Sequence, residues 1–339
     1  MKVAILAPVI WRTPPRNYGP WEQVTSVLTE GLVKAGIDVT LFATGDSITG
    51  AKLKWVCEKP LGEYPADAKV AECLHISNLM QQAASFDIVH NHFDFLPLTY
   101  SGLIRTPVIT TIHGFSSEQI VPVYKKYNAH THYVSISNSD RHPELKYIDT
   151  VDNGLDEQQF HAGHGKGDYL LYFGRIHPHK GAFEAIQIAI QSNKKLILCG
   201  LIQDQVYFDE KVVPYLNDSS VVYMGNAEPK QRNQLLGDAL ALLHPISFEE
   251  PFGLSVAEAM MCGTPVIAFE RGAMKELIVG GKTGFLVHNV EEAVVAVSKI
   301  TCICRCECRK HAMNKFSSKV MTAGYIKLYE QIIRRTNSL

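Results

Sequence analysis

The sequence predicts an α/β fold of two doubly wound domains, and three observations carry that prediction. Short apolar runs of strand length alternate with longer segments of helical period. The alternation restarts near the middle of the chain. The restart follows a polar, Gly-rich stretch, "DNGLDEQQFHAGHGKGD", at 152–168. Continuous apolar strands separated by helices mark parallel sheets covered on both faces, and 339 residues suffice for two such cores.

The first half runs from the strand "KVAILAPV" through an amphipathic helix at Trp21 to Ala35, the strand "DVTLFA" and a helical stretch near Ala71 to Ala84. The strands "DIVHNH", "PVITTIHG" and "HYVSIS" complete it. In the second half "YLLYFGRI", "KLILCG", "VVYMG", "ALALLHPI", "PVIAF" and "GFLV" read as strands with helices between them. At the end, "FSSKVMTAGYIKLYEQIIRR" repeats apolar residues at helical spacing, with Ser317 a fitting N-cap. The expected domains are 1–158 and 159–318, followed by a helix over 319–339. Open α/β sheets bind ligands at the carboxyl ends of their strands, so the expected site lies where two such domains face each other.

With 33 basic and 34 acidic side chains the net charge is -1. That balance gives no general attraction to nucleic acid or to an anionic membrane, so a bound anion needs a local site. Eight cysteines are few for a disulfide framework of this length, and the opening "MKVAILAPVIWRTPP" has too short an apolar core for a signal peptide. No run approaches the roughly 20 apolar residues that cross a bilayer. The reading is a cytoplasmic chain with reduced thiols, with peripheral contact at the inner face of a membrane left open.

Two constellations in the second half carry chemistry. After "YLLYFGRI" comes "HPHKG", which places Arg175 and Lys180 at a strand's carboxyl end just before a helix starts near Gly181. Two cations beside a helix N-terminus suit a diphosphate, because the helix adds unpaired amides and partial positive charge. Solvated surface charges are the plain alternative. The second stretch is "SFEEPFGLSVAEAMMCGTP". Pro251 ends the preceding chain, a helix is expected from about Gly253, and Val256/Met260 with Ala257/Met261 form its apolar face. Glu250 then lies in the loop before the helix and Glu258 inside it, with the amides of Phe252, Gly253 and Leu254 between them. A ligand with hydroxyls at both ends and a diphosphate in the middle matches this arrangement, and a nucleotide sugar is such a ligand. A pair of acids that merely complements the helix dipole is the alternative, and Glu249 fits that role.

The run "EEPFGLSVAEAMMCGTPV" resembles the E-x7-E element of retaining glycosyltransferases of family 4, with the GT-B fold of two Rossmann-like domains facing across a cleft. "FGRIHPHKG" is similar to that family's G-R-x-x-x-x-K-G, "DNGLD" to its N-G-[IV]-D, and "RGAMKELI" and "GKTGFLV" to its closing segments. The resemblance implies that Glu250 holds donor-sugar hydroxyls, Glu258 the ribose, and Arg175 with Lys180 the diphosphate. It implies transfer without a metal or other cofactor, and a terminal helix that crosses back onto the first domain. Both acids would then position the donor, unlike the flanking carboxylates of a glycosidase.

The first half supplies further candidates. "PPRNYGPWEQV" resembles the family's Gly-rich loop; Gly19 matches its first glycine, while Pro20 stands where a second is common. Proline offers no amide, so Pro20 reads as the first residue of the following helix. The G-x-G-x-x-G of a dinucleotide dehydrogenase is absent after this strand. His90, His92 and Asp94 lie near one strand end and are open to three readings: metal ligands, buried hydrogen-bonded groups, or sugar and acceptor contacts. Against a metal, no thiol or second acid cluster is near in sequence. By resemblance, His113 in "VITTIHGF" sits beside the transferred sugar.

Cys302, Cys304, Cys306 and Cys308 alternate in "TCICRCECRKH". On a strand all four thiols share a face. On a helix they split into two i,i+4 pairs, which cannot chelate one ion, and the following "RKHAMNKF" favours the helix. The function expected from these readings is transfer of a hexose, with retention, from a nucleoside diphosphate sugar, with UDP the expected nucleotide, to a carbohydrate or glycolipid acceptor. A nucleotide-sugar epimerase and a non-catalytic sugar-nucleotide binding module are the competing classes.

Overall fold

A computed structural model describes residues 1–64, 67–115, 117–217 and 219–337. It divides into two compact units, Met1–Gly154 with Ser318–Leu339, and Leu155–Ser317. In chain order the first unit contains β1 (Lys2–Leu6), α1 (Pro20–Lys34), β2 (Asp38–Phe42), β3 (Lys52–Lys54), α2 (Ala68–Met80), β4 (Ile88–Asn91), β5 (Val108–Ile112), α3 (Val121–Tyr127), β6 (His132–Ser135) and β7 (Tyr147–Thr150). The second contains β8 (Tyr169–Phe173), α4 (Ala182–Gln191), β9 (Lys195–Cys199), α5 (Gln205–Tyr207), β10 (Val221–Tyr223), α6 (Pro229–Asp238), β11 (Ala241–His244), α7 (Leu254–Met261), β12 (Val266–Phe269), α8 (Met274–Leu277), β13 (Gly284–Val287), α9 (Val290–Lys299) and α10 (Arg305–Phe316). The last helix, α11 (Ser318–Asn337), belongs to the first unit. Ser338 and Leu339, the end of the helix expected over 319–339, lie outside the described residues.

Each unit has one parallel sheet. The orders are β3-β2-β1-β4-β5-β6-β7 and β10-β9-β8-β11-β12-β13. The chain therefore reverses its direction of travel across the sheet between β1 and β4 in one unit and between β8 and β11 in the other. Such reversal points leave a crevice at the strands' carboxyl ends.

The eleven strand segments read from the sequence all form strands; the central ones are apolar runs buried along nearly their whole length, and the edge strands β10 and β13 each keep at least one buried residue. β3 and β7 were not foreseen. "KLK" and "YIDT" are edge strands paired on one side, without a fully buried residue, so neither needs an apolar run. In α1, Pro20 is the first helical residue, where its missing N–H costs nothing, and Val24, Val27, Leu28 and Leu32 face inward.

α11 packs on α1. Its buried residues Met321, Tyr325, Leu328, Tyr329 and Ile332 recur at helical spacing along one stripe, each worth roughly 1.5–3 kcal/mol if fully buried. Contact is closest at Gly31, where a Cβ would run into the Thr322 hydroxyl. A bulky residue there would pry the terminal helix off its own unit.

The cysteine segment takes the helical alternative: Cys306 and Cys308 lie in α10, Cys304 caps it, and Cys302 ends a preceding 3-10 turn. One expectation is corrected here. Cys304 and Cys306 are joined in a disulfide, since residues two apart at the extended start of a helix can bring their Sγ atoms together, so the thiols are not all reduced. Among the described residues no helix is long and apolar enough to cross a membrane, and no group of three or more His, Cys, Asp and Glu is arranged to hold a metal ion.

Candidate active site

The second unit's reversal point gathers the charged residues. β8 ends at Phe173; Arg175 follows, and a short 3-10 turn, Pro178–Lys180, delivers Lys180 to the start of α4. The turn closes on Gly181, whose φ of 75° and whose contact with the Pro245 carbonyl leave no room for a side chain. That close approach, with the 3.0 Å hydrogen bond from Ser247 N to the His179 carbonyl, brings the β8 loop against the β11 loop. Lys180 Nζ consequently meets Glu250 Oε2 in an ion pair whose side chains are only 16% and 12% exposed, with the ammonium 4.6 Å from the centre of the Phe248 ring.

His244, the last residue of β11, places Nε2 3.6 Å from the same Glu250 oxygen. Burial by itself would push the Glu250 carboxyl up; the His244 ring and the Lys180 ammonium outweigh it and bring it down to about 2. His244 is itself lowered by burial and its Nε2 is too far for a formed hydrogen bond, so we assign the effect mainly to Lys180. The Glu250 backbone is clamped as well. Its carbonyl accepts from Ala273 N at 2.9 Å, and a Cβ on Gly272 would collide with its backbone nitrogen and oxygen.

Phe252 is core, edge-on to Phe316 at 5.6 Å. Gly253, at φ 95°, starts α7 as its N-cap and Leu254 is the first helical residue. The amides of Phe252, Gly253 and Leu254 donate to nothing among the described residues; they form the positive end of a helix. Inside α7, Glu258 is nearly buried and its Oε1 lies 3.3 Å from Arg232 Nη1 of α6. Burial raises the Glu258 carboxyl and Arg232 opposes that rise. Arg175 donates to the Gln203 side chain. The structure thus brings together Lys180, Glu250 and the α7 N-terminus, with Glu258 one helical turn further in.

In the first unit the predicted residues form a different object. His113 Nε2 lies 2.9 Å from His92 Nδ1, His92 Nε2 3.3 Å from His90 Nδ1, and His90 Nδ1 2.6 Å from the Tyr329 hydroxyl. His90 Nε2 continues to Thr111 Oγ1 at 2.7 Å and thence to the Tyr325 hydroxyl at 2.7 Å. Burial holds all three rings below their usual pKa, His113 at about 3. One neutral proton arrangement satisfies the chain: Nε2–H of His113 donates to His92, Nε2–H of His92 to His90, and Nε2–H of His90 to Thr111.

His90 and His92 have no exposed surface, and their ring nitrogens are engaged. Of the three readings open to these two, the structure shows the buried, hydrogen-bonded one, and through His90 it ties α11 to the sheet. His113 ends the chain, stacked on Trp21 at 5.5 Å. Asp94, at φ 93°, accepts from the Tyr124 hydroxyl, and burial raises its carboxyl to about 6. Gly19 is the N-cap of α1 and is crowded by Pro15, Trp11 and Glu22. Burial raises Glu22 to about 7.

Arg232, His244 and Gly272 were missed by sequence reasoning. His244 had a signal, being the one polar residue at the end of the apolar run "ALALLHPI". Arg232 lies in the polar helix "PKQRNQLL", and Gly272 acts through space on a residue 22 positions earlier; neither leaves a periodic trace.

Residues 156–319 match the family described as glycosyl transferases group 1, and residues 22–146 match glycosyltransferase family 4. The chain belongs to this glycosyltransferase family. Among its relatives is an uncharacterised 41.2 kDa protein of the Klebsiella pneumoniae cps region, 30% identical over 168 residues, 48% of this chain. The match spans 46% of that relative, less than half of its length. Among solved structures, a sucrose-phosphate synthase from Thermosynechococcus elongatus is 18% identical with a TM-score of 0.82, covering 99% of this chain and all of that one. Anabaena HepE, solved in complex with UDP-glucose, is 19% identical with a TM-score of 0.71 over the full length of both chains. These likenesses establish the two-unit GT-B fold of this glycosyltransferase family member.

Proposed function

We propose that this family member transfers a hexose, with retention, from a nucleoside diphosphate sugar, UDP the favoured nucleotide, to a carbohydrate or glycolipid acceptor. The observation that carries the reading is the meeting of the Lys180–Glu250 pair with the amides that open α7, which have no acceptor among the described residues, at the reversal point of the second sheet, with Glu258 further along the same helix. In this reading Lys180, Arg175 and the amides of Phe252, Gly253 and Leu254 stabilise the charge growing on the leaving diphosphate. Glu250, held ionised and oriented by Lys180, accepts from the sugar hydroxyls, and Glu258 accepts from the ribose. His113 is the sugar contact of the first unit, and Gly19 a loop contact.

Catalysis then comes from alignment of donor and acceptor and from fixed charge, with no protein nucleophile. No divalent cation is needed to meet the phosphate charge, so turnover should survive chelation by EDTA. The complex of HepE with UDP-glucose supports the choice of nucleotide. The deciding experiment is incubation with UDP-, GDP- and ADP-sugars and a panel of saccharide and glycolipid acceptors, followed by NMR of the product. A new glycosidic bond with the donor's anomeric configuration supports the proposal. Donor isomerised without a new bond indicates an epimerase, and donor bound but unchanged indicates a binding module.

A further inference from the structure

Glu258 is a buried acid whose ligand, in the reading above, is a pair of neutral hydroxyls. Its ability to accept from both depends on its charge, and burial opposes that charge. The cation that reaches it is Arg232, through Nη1 to Oε1 at 3.3 Å; Oε2 has no hydrogen-bond partner among the described residues. The other charges and titratable groups nearby are committed elsewhere. Arg305 donates to the carbonyls of Ala239 and Gly237 and to the Thr264 hydroxyl. Arg309 donates to the carbonyls of Phe160 and Met261, and the Cys262 thiol, which burial raises to about 12, is neutral.

Arg232 is also held in place. Its guanidinium lies 5.2 Å from the centre of the buried Phe160 ring, and its Nε is buried without a partner. The next residue, Asn233, accepts from His161 N at 2.9 Å and from Cys262 Sγ at 3.3 Å, which fixes α6 against both segments. A guanidinium so placed, with one nitrogen desolvated and unpaired, is a costly arrangement that leaves one carboxylate oxygen of Glu258 open to a ligand.

We propose that Arg232 is a positioning residue that keeps Glu258 ionised and turned toward the ribose, and so makes the site selective for ribonucleotides over deoxyribonucleotides. The inference rests on the donor reading above. The test is calorimetric affinity for UDP, 2′-deoxy-UDP and 3′-deoxy-UDP from pH 6 to 8.5 with wild type, R232M, R232K and E258Q. A hydrogen bond to a charged acceptor is worth ~1.5–3 kcal/mol, about tenfold to a hundredfold in affinity. Wild type should therefore favour UDP at least tenfold over one of the deoxy analogues.

In R232M that preference should fall to threefold or less at pH 6 and recover as the pH rises, because a carboxyl that has lost its cation ionises at higher pH. R232K should restore most of it, and E258Q should abolish it at every pH. R232M that keeps the wild-type preference throughout, or that weakens all three nucleotides equally at every pH, overturns the inference. Should R232M fail to fold, R232Q carries the same two outcomes. Wild type that binds UDP and both analogues equally overturns the role of Arg232 while the donor reading stands; wild type that binds none of them removes the donor reading itself.

Discussion

The two sheets share one topology and one kind of reversal point, yet the two points are built from opposite electrostatics. Around β4 and β5 the first unit buries three neutral histidines, each handing its proton to a neighbour, the chain ending on two tyrosines of α11. Around β8 and β11 the second unit buries carboxylates, each beside a cation. A neutral chain suits a wall that must hold a shape. Charged groups already desolvated and fixed suit a wall that must meet the changing charge of a leaving group, because they need little reorganisation as that charge grows. The difference teaches that the topology supplies the crevice while local charge decides its use.

The largest expected effect breaks the charged wall. Glu250→Gln keeps the shape and removes the charge, and should lower turnover by about 10²–10³-fold, as loss of a preorganised electrostatic contact does; steady-state rates with the donor found above measure it. Lys180→Met should be as damaging to rate and also destabilise the protein by ~3–5 kcal/mol, since it strands a buried carboxylate, measured by urea unfolding. An E250Q/K180M double variant should recover part of that stability without recovering rate, and a double variant no more stable than K180M would deny the pairing.

A second test separates the walls by pH. Glu250 is held at about 2, below its usual 4.5, so its contribution to stability is present above pH 4.5 and lost as the pH falls toward 2. The histidines are held below 6.5, His113 at about 3, so the unfolded chain takes up protons first and stability falls from pH 6.5 downward. Wild-type stability should therefore decline from pH 6.5 and fall more steeply below pH 4.5, where Glu250 adds to the histidines. E250Q should remove only that added steepness, as followed by unfolding free energy at each pH.

A smaller effect tests the neutral wall alone. Tyr329→Phe removes the hydroxyl bonded to His90 and should cost ~1–3 kcal/mol by denaturant unfolding. Donor affinity should change little, because that residue is bound to the first unit's interior. The smallest effect is expected from C304S/C306S: transfer should be unchanged, since neither residue approaches Lys180, Glu250 or Glu258 in any described contact.

Much of this was legible in the sequence because burial writes itself into composition. The central strands of both sheets are apolar runs, and the helix starts at Pro20, Gly181 and Gly253 follow from their types. Lys180 and Glu250 meet, as the resemblance implies, in an ion pair, while Glu258 lies further along α7 beside Arg232. What was hidden depends on through-space pairing. β3 and β7 need no apolar run at a sheet edge, and the sequence leaves three readings for His90 and His92 until Thr111 and Tyr329 are seen to engage the first and His113 the second. The pairing of Arg232 with Glu258 joins residues 26 positions apart in sequence and becomes visible only when α6 lies beside α7.

The central claim is that the second unit grips a pyrophosphate-linked sugar through Lys180, Glu250, Glu258 and the amides opening α7. A crystal structure of the chain with UDP-glucose tests it most directly. The account predicts the pyrophosphate against Lys180 and the amides of Phe252, Gly253 and Leu254, the glucose hydroxyls on Glu250 and the ribose on Glu258. UDP-glucose bound away from these residues, with the Lys180–Glu250 pair untouched, would contradict it.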